Sequence, residues 1–136
     1  MNIMLKSDLQ QKFYQNLGRL FYAIAAADRI VRKEEVESVK QIVRKQWLQL
    51  DEVVDEFGSD AAFQVEIIFD WMDANKPDPQ AAFQVFADFY REHPELFTKE
   101  IKNMTLEASR EIASSFKGKN KSELVMLAKL QTLLKK

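Results

Sequence analysis

The stretch Leu20-Phe21-Tyr22-Ala23-Ile24-Ala25-Ala26-Ala27-Asp28-Arg29-Ile30-Val31-Arg32-Lys33-Glu34-Glu35-Val36 decides the fold class. Its first part closes an apolar stripe of Phe13, Leu17, Leu20, Phe21 and Ile24, whose three- and four-residue spacing is that of one helix face. Alanines at 23 and 25–27 keep the end of that helix narrow enough for close packing. The last part opens a second helix. Glu34 and Glu35 suit the positive end of the helix dipole, and Val36, Val39, Ile42, Val43 and Trp47 run on as a second stripe with Lys40, Arg44 and Lys45 beside it. Two helices joined by a short turn are expected, the first beginning at a capping box of Ser7 and Gln10 and running to about Asp28.

The same reading extends downstream. Asp51 to Phe57 reads as a short helix ended by Gly58, after which Ser59 or Asp60 caps a segment holding Phe63, Ile67, Ile68, Trp71 and Met72. That segment is apolar enough to be buried on most sides at the centre of a bundle. Lys76-Pro77-Asp78-Pro79 ends it and starts the next helix, because Asp is a good N-cap and Pro fits the first helical position. Phe83, Phe86, Phe89 and Tyr90 line this helix. After Pro94, and from about Thr98, Ile101, Met104, Ala108, Ile112 and Phe116 recur at helical spacing until Lys117-Gly118-Lys119. Asn120 and Glu123 make a second box-like cap for a final helix with Leu124, Leu127, Leu130 and Leu134. The expectation is an all-α helical bundle of six to seven helices, one domain over residues 1–136, with no strand.

Composition supports this. An apolar share of 46% with ten Phe and two Trp is far from a disordered profile, and three Gly with three Pro leave few interruptions. The absence of Cys removes disulfide scaffolds and thiolate zinc sites. Met1-Asn2-Ile3-Met4-Leu5-Lys6 has too short an apolar run for a signal-peptide core or a membrane span, so a cytoplasmic protein without stable membrane insertion is expected. The net charge of −1 conceals segments of +4 over residues 1–50, −10 over 51–100 and +5 over 101–136. An acidic middle between basic ends suits pairing within the fold rather than nucleic-acid binding, which needs a basic face without a large acidic competitor.

Sliding the chain over itself by 88 positions sets Ile24-Ala25 on Ile112-Ala113, Glu35 on Glu123, Val36 on Leu124, Val39 on Leu127 and Ile42 on Leu130, which makes the first and last hairpins a pseudo-repeat. Here the Leu20–Val36 stretch resembles the TerB-like family, named for tellurite resistance, whose pattern is an Ile-Ala-x-x-Asp-Gly run, an apolar residue and then a Glu opening the next helix. The resemblance covers residues 17–43 well and 108–134 loosely. It implies an all-helical bundle with a repeated hairpin, acidic residues near the turns, a divalent metal site and a role in stress-linked protein complexes. Arg29 stands where the family pattern has Gly, and Phe116, among Lys117, Lys119 and Lys121, where the second copy would carry Asp. Such a basic second loop suits a hard cation poorly.

Candidate chemistry is sparse. Asp28 and Glu35, flanking the first turn, form a pair with two readings: weak coordination of Ca²⁺ or Mg²⁺, or a structural role in which Glu35 complements the helix dipole and Asp28 bonds to turn amides. Asp73, Asn75 and Asp78 lack the Gly and the final Glu of a calcium loop and read as a capped turn. His93 is the sole His and has no Cys to join it, so it reads as a turn residue. No Ser sits in a nucleophile elbow, and Gly18, Gly58 and Gly118 are too scattered for a phosphate cradle. The expected function is non-enzymatic: a helical domain that binds a protein partner of unspecified identity. The alternatives are a divalent-metal domain using Asp28 and Glu35, and a small-molecule or lipid carrier in which the rings of Phe83, Phe86, Phe89 and Tyr90, with Trp71 and Phe63, line a groove instead of forming core.

Overall fold

A computed structural model describes residues 3–27, 33–54, 58–115 and 121–135. Among them are six α-helices, α1 (Ile3–Ala25), α2 (Lys33–Val54), α3 (Gly58–Asn75), α4 (Pro79–Glu92), α5 (Lys99–Ser115) and α6 (Lys121–Leu134), with a 3₁₀ turn at Pro94–Leu96 and no strand. The all-α bundle is the architecture the stripes predict. No helix of the described residues is long and apolar enough to cross a membrane.

Two boundaries differ from the sequence reading. α1 begins at Ile3, so Ser7 lies inside the helix rather than capping it. The apolar residues Ile3, Met4 and Leu5 extend the same periodic run backward, and good helix continuation overrides a local cap signal. α2 continues through Asp51 to Val54, where a separate short helix was expected, and Gly58 opens α3. Nothing between Trp47 and Asp51 breaks a helix: there is no Gly, Pro or β-branched run.

The predicted break at residues 76–79 is built as read. Lys76, at φ 50°, takes the left-handed conformation that closes α3, its N–H donating to Met72 O at 2.7 Å. Asp78 then caps α4 by accepting from the Ala81 N–H at 3.0 Å, with Pro79 behind it. Thr98 Oγ1 accepts from the Ile101 N–H at 3.3 Å and caps α5 the same way.

The centre of the bundle is α1, which touches each of the other five helices. Its stripe of Leu17, Leu20, Phe21 and Ile24 is wholly buried, as are Phe69, Phe86, Ile112 and Leu130 from helices around it. Gly18 lets α3 approach so closely that a Cβ there would stand 2.7 Å from Ile68 Cγ2 and 2.9 Å from Val65 O. α2 packs chiefly on α3 and α5 and only slightly on α1, so the first hairpin is a pair in connectivity more than in contact. The last hairpin, α5 with α6, does pack on itself. Ile24-Ala25 and Ile112-Ala113 are buried alike, as are Ile42 and Leu130, whereas Val36 is half-buried and its counterpart Leu124 exposed.

Candidate functional site

Glu35 lies in the first turn of α2 and is half-buried. Asp28, its partner in the predicted metal pair, lies outside the described residues, as do Phe116 and the Lys117-Gly118-Lys119 turn of the second copy. Among the described residues no three His, Cys, Asp or Glu side chains come together as a metal site. The Asp73–Asp78 turn is structural. Asp78 caps α4, and Asn75 Nδ2 donates to the Trp71 carbonyl at 2.8 Å. His93 ends α4, its N–H donating to Phe89 O at 2.9 Å, with its ring 5.0 Å from that of Phe89 and Nδ1 3.5 Å from Glu95.

The four rings of α4 are core. Phe83, Phe86, Phe89 and Tyr90 are all buried, and Phe97, beyond the 3₁₀ turn, ties three of them together by edge contacts at 4.9 Å to Tyr90, 5.8 Å to Phe86 and 6.4 Å to Phe89. Phe13 of α1 closes the cluster at 5.1 Å from Phe97. Edge-to-face contacts of this kind add about 0.5–1.5 kcal/mol each beyond the area buried. Phe86, Phe89 and Tyr90 pack on Phe97, and Phe83 packs on Phe86 while also facing the cleft between α4 and α6.

Exposed large apolar side chains lie instead on α3 (Ile67 and Trp71), α4 (Val85) and α6 (Leu124 and Val125), Trp71 being the largest of them. The α3 helix turns Val65, Phe69 and Met72 inward against α1 and α2, and Ile67 and Trp71 fall on the other side, about 200° and 240° around the axis from Val65 at 3.6 residues per turn. Trp71 is 57% exposed and Ile67, one turn earlier, 44%. The expectation that this helix is buried on most sides is thus corrected. Its apolar content is high, but α1 and α2 cover only one side, and the hub position belongs to α1.

Charged contacts fix how α3 presents that face. Arg44 of α2 donates to Glu66 through Nε at 3.0 Å and a second guanidinium nitrogen at 2.8 Å, a two-pronged pair, and Lys40 reaches Asp70 at 3.0 Å. The Glu66 hydrogen bond raises the Arg44 pKa further above its usual value. α2 is thus paired with one flank of α3, and α1 approaches the other closely at Gly18. Helical period alone does not select this surface: Phe63, Ile67 and Trp71 form an i, i+4, i+8 stripe on the sequence as regular as the i, i+4, i+7 stripe of Val65, Phe69 and Met72.

A polar seam joins α2 to α5, where the buried Gln46 donates to Glu111 Oε1 at 2.9 Å. Across the bundle a cleft of about 510 Å³ runs between α4 and α6, floored by Phe83, Ala87 and Leu133 and crossed by Lys129 Nζ donating to Gln80 Oε1 at 2.9 Å. Comparison with family models, characterised proteins and solved structures gives no match.

Proposed function

We propose that the chain is a TerB-like helical interaction domain, which works by binding another protein through the outer face of α3 rather than by catalysis. The observation that carries this reading is Trp71, more than half exposed and one turn from the exposed Ile67, on a helix packed between α1 and α2. Exposed Trp is costly to leave in water and is the side chain most enriched among interface residues that dominate binding. Since each is already about half buried, covering the rest of either side chain contributes on the order of 1 kcal/mol. Because the face is pre-formed, little ordering entropy opposes association. Asp70, paired with Lys40, and the neighbouring Asp73 stand close to the apolar pair in the chain and suit a partner with a polar rim around an apolar centre. The setting, by resemblance to the TerB-like family, is a cytoplasmic stress response.

The experiment is affinity capture from the source cell with the wild-type chain, Trp71→Glu and, as a surface control, Val85→Glu. A partner retained by the wild type and the control but lost with Trp71→Glu supports the reading. Equal recovery with Trp71→Glu, or no protein recovered above background in any condition including tellurite stress, overturns it.

A further inference from the structure

We propose that a second site, the cleft between α5 and α6, binds an extended acidic peptide segment that places one apolar side chain between its carboxylates. The cleft shares no residue with the α3 face and stands whether or not that face has a partner. Lys99, Lys102 and Arg110 of α5 line it together with Lys135, just after α6, and no carboxylate among the described residues does. This concentration is not a consequence of a basic chain, since the whole molecule carries −1.

The helical period builds the site. Residues 99, 102, 106 and 110 follow at intervals of three and four and share one face of α5. The antiparallel packing of α6 on α5 brings Lys135 to the end that Lys99 occupies. Lys99, Lys102 and Lys135 form no ion pair with any described residue, and Arg110 has only a 3.5 Å contact with the exposed Glu107. The Lys102 ammonium is held over the Tyr90 ring at 5.8 Å, which keeps it beside the cleft. Like charges gathered without counter-charges repel, and an anionic occupant relieves that repulsion.

Shape selects among anions. The floor is apolar, made by Leu106 and Leu134, and the volume is about 260 Å³, below the roughly 300–1,000 Å³ of sites for drug-sized ligands. That space suits one or two side chains. Asn103 and Gln131 add amide groups able to pair with a peptide backbone. Lys99 and Arg110 are eleven residues apart, about 16 Å along the helix at 1.5 Å per residue, which matches some five residues of extended chain at roughly 3.3 Å each. A flat lipid surface cannot reach a concave floor, and a nucleic acid finds no free ring to stack on, because Tyr90 already carries Lys102.

The test uses the full chain and a fluorescein-labelled peptide of sequence Glu-Asp-Leu-Asp-Glu, followed by anisotropy at low and moderate salt. The expected result is saturable binding that weakens as salt rises, falls at least about fivefold when the central Leu is replaced by Ser, and falls at least about tenfold with Lys102→Gln/Arg110→Gln. Circular dichroism should show that variant folded, and Lys129→Gln, outside the cleft, should bind as the wild type does. No binding at low salt, equal binding of the Gln-Asn-Leu-Asn-Gln peptide, or binding unchanged in the Lys102→Gln/Arg110→Gln variant overturns the proposal. So does competition as effective by inorganic phosphate or by phosphatidylserine vesicles as by the unlabelled peptide, which would make the cleft a general anion site or a membrane contact.

Discussion

The hydroxyl of Tyr22, near the end of α1, donates to the carbonyl of Pro77 at 3.2 Å and so fastens the α3–α4 turn to the central helix. Fifty-five residues of chain separate the two groups. Burial, and after it the negative charges of Asp73 and Asp78, raise the Tyr22 pKa above its ordinary value near 10.0. A group that holds its proton more tightly when folded contributes stability that is complete below the unfolded pKa. That contribution is lost as pH rises through the folded one. The thermal midpoint of the wild type should therefore fall more steeply above about pH 10, the unfolded value, than that of Tyr22→Phe. Parallel slopes for the two proteins would remove Tyr22 from the account.

Gly18→Ala tests the approach of α1 to α3. Alanine is the better helix former by about 1 kcal/mol, so on propensity alone the change stabilises. The added methyl, however, meets Ile68 Cγ2 at 2.7 Å and the Val65 carbonyl at 2.9 Å, and a backbone carbonyl within a helix has little room to retreat. Overpacking of this kind costs about 1–3 kcal/mol. Denaturant titration should show a net loss on the order of 1 kcal/mol, and a gain would mean that the helices separate freely.

How far the sequence could be read follows from how local each signal is. The break at Lys76-Pro77-Asp78-Pro79 was legible because its cap, its Pro and its turn are neighbours in the chain, and Asp78 does cap α4. The stripes of α1 and α4 were legible because helical period alone puts Leu17, Leu20, Phe21 and the four rings on buried faces. What the period does not carry is which helix takes the centre. α3 has the more apolar composition, yet α1 is the hub, because Gly18 and the alanines after Tyr22 let other helices close in on it. The exposed Trp71 was missed for that reason: exposure depends on which neighbours cover a face, and only tertiary contacts decide it. The basic cleft of α5 and α6 escaped similarly, since Lys135 joins Lys99 only after the hairpin packs. The Asp28–Glu35 pair falls half outside the described residues.

Asp78→Ala should act at two places. Loss of the bond from the Ala81 N–H removes the N-cap of α4, worth about 1 kcal/mol. Loss of the charge also removes one of the contributions that raise the Tyr22 pKa. Asp78→Asn, which can still accept at the cap, should recover most of the stability but not the charge. Phenolate absorbance should then show Tyr22 titrating at lower pH in both variants than in the wild type. If the Tyr22 titration were unchanged while stability fell, the cap and the tyrosine would be independent.

Ser109 offers a substitution expected to stabilise. It sits in α5 fully buried, and its Oγ has no hydrogen-bond partner among the described residues. Thr105, one turn earlier and equally buried, differs in that its Oγ1 donates to the Ile101 carbonyl at 2.7 Å. A buried hydroxyl left unsatisfied carries a desolvation cost of about 1–3 kcal/mol. Ser109→Ala removes the oxygen, leaves almost no cavity and substitutes the best helix former for a middling one. A gain near 1 kcal/mol corresponds, for a chain of this size, to a rise in the melting temperature of about 3–5 °C. Thr105→Ala, by contrast, deletes a methyl and a satisfied hydroxyl and should lower it. Both are read by calorimetry on the two single variants. A fall for Ser109→Ala would show that its hydroxyl is engaged after all, by a group or a water that satisfies it.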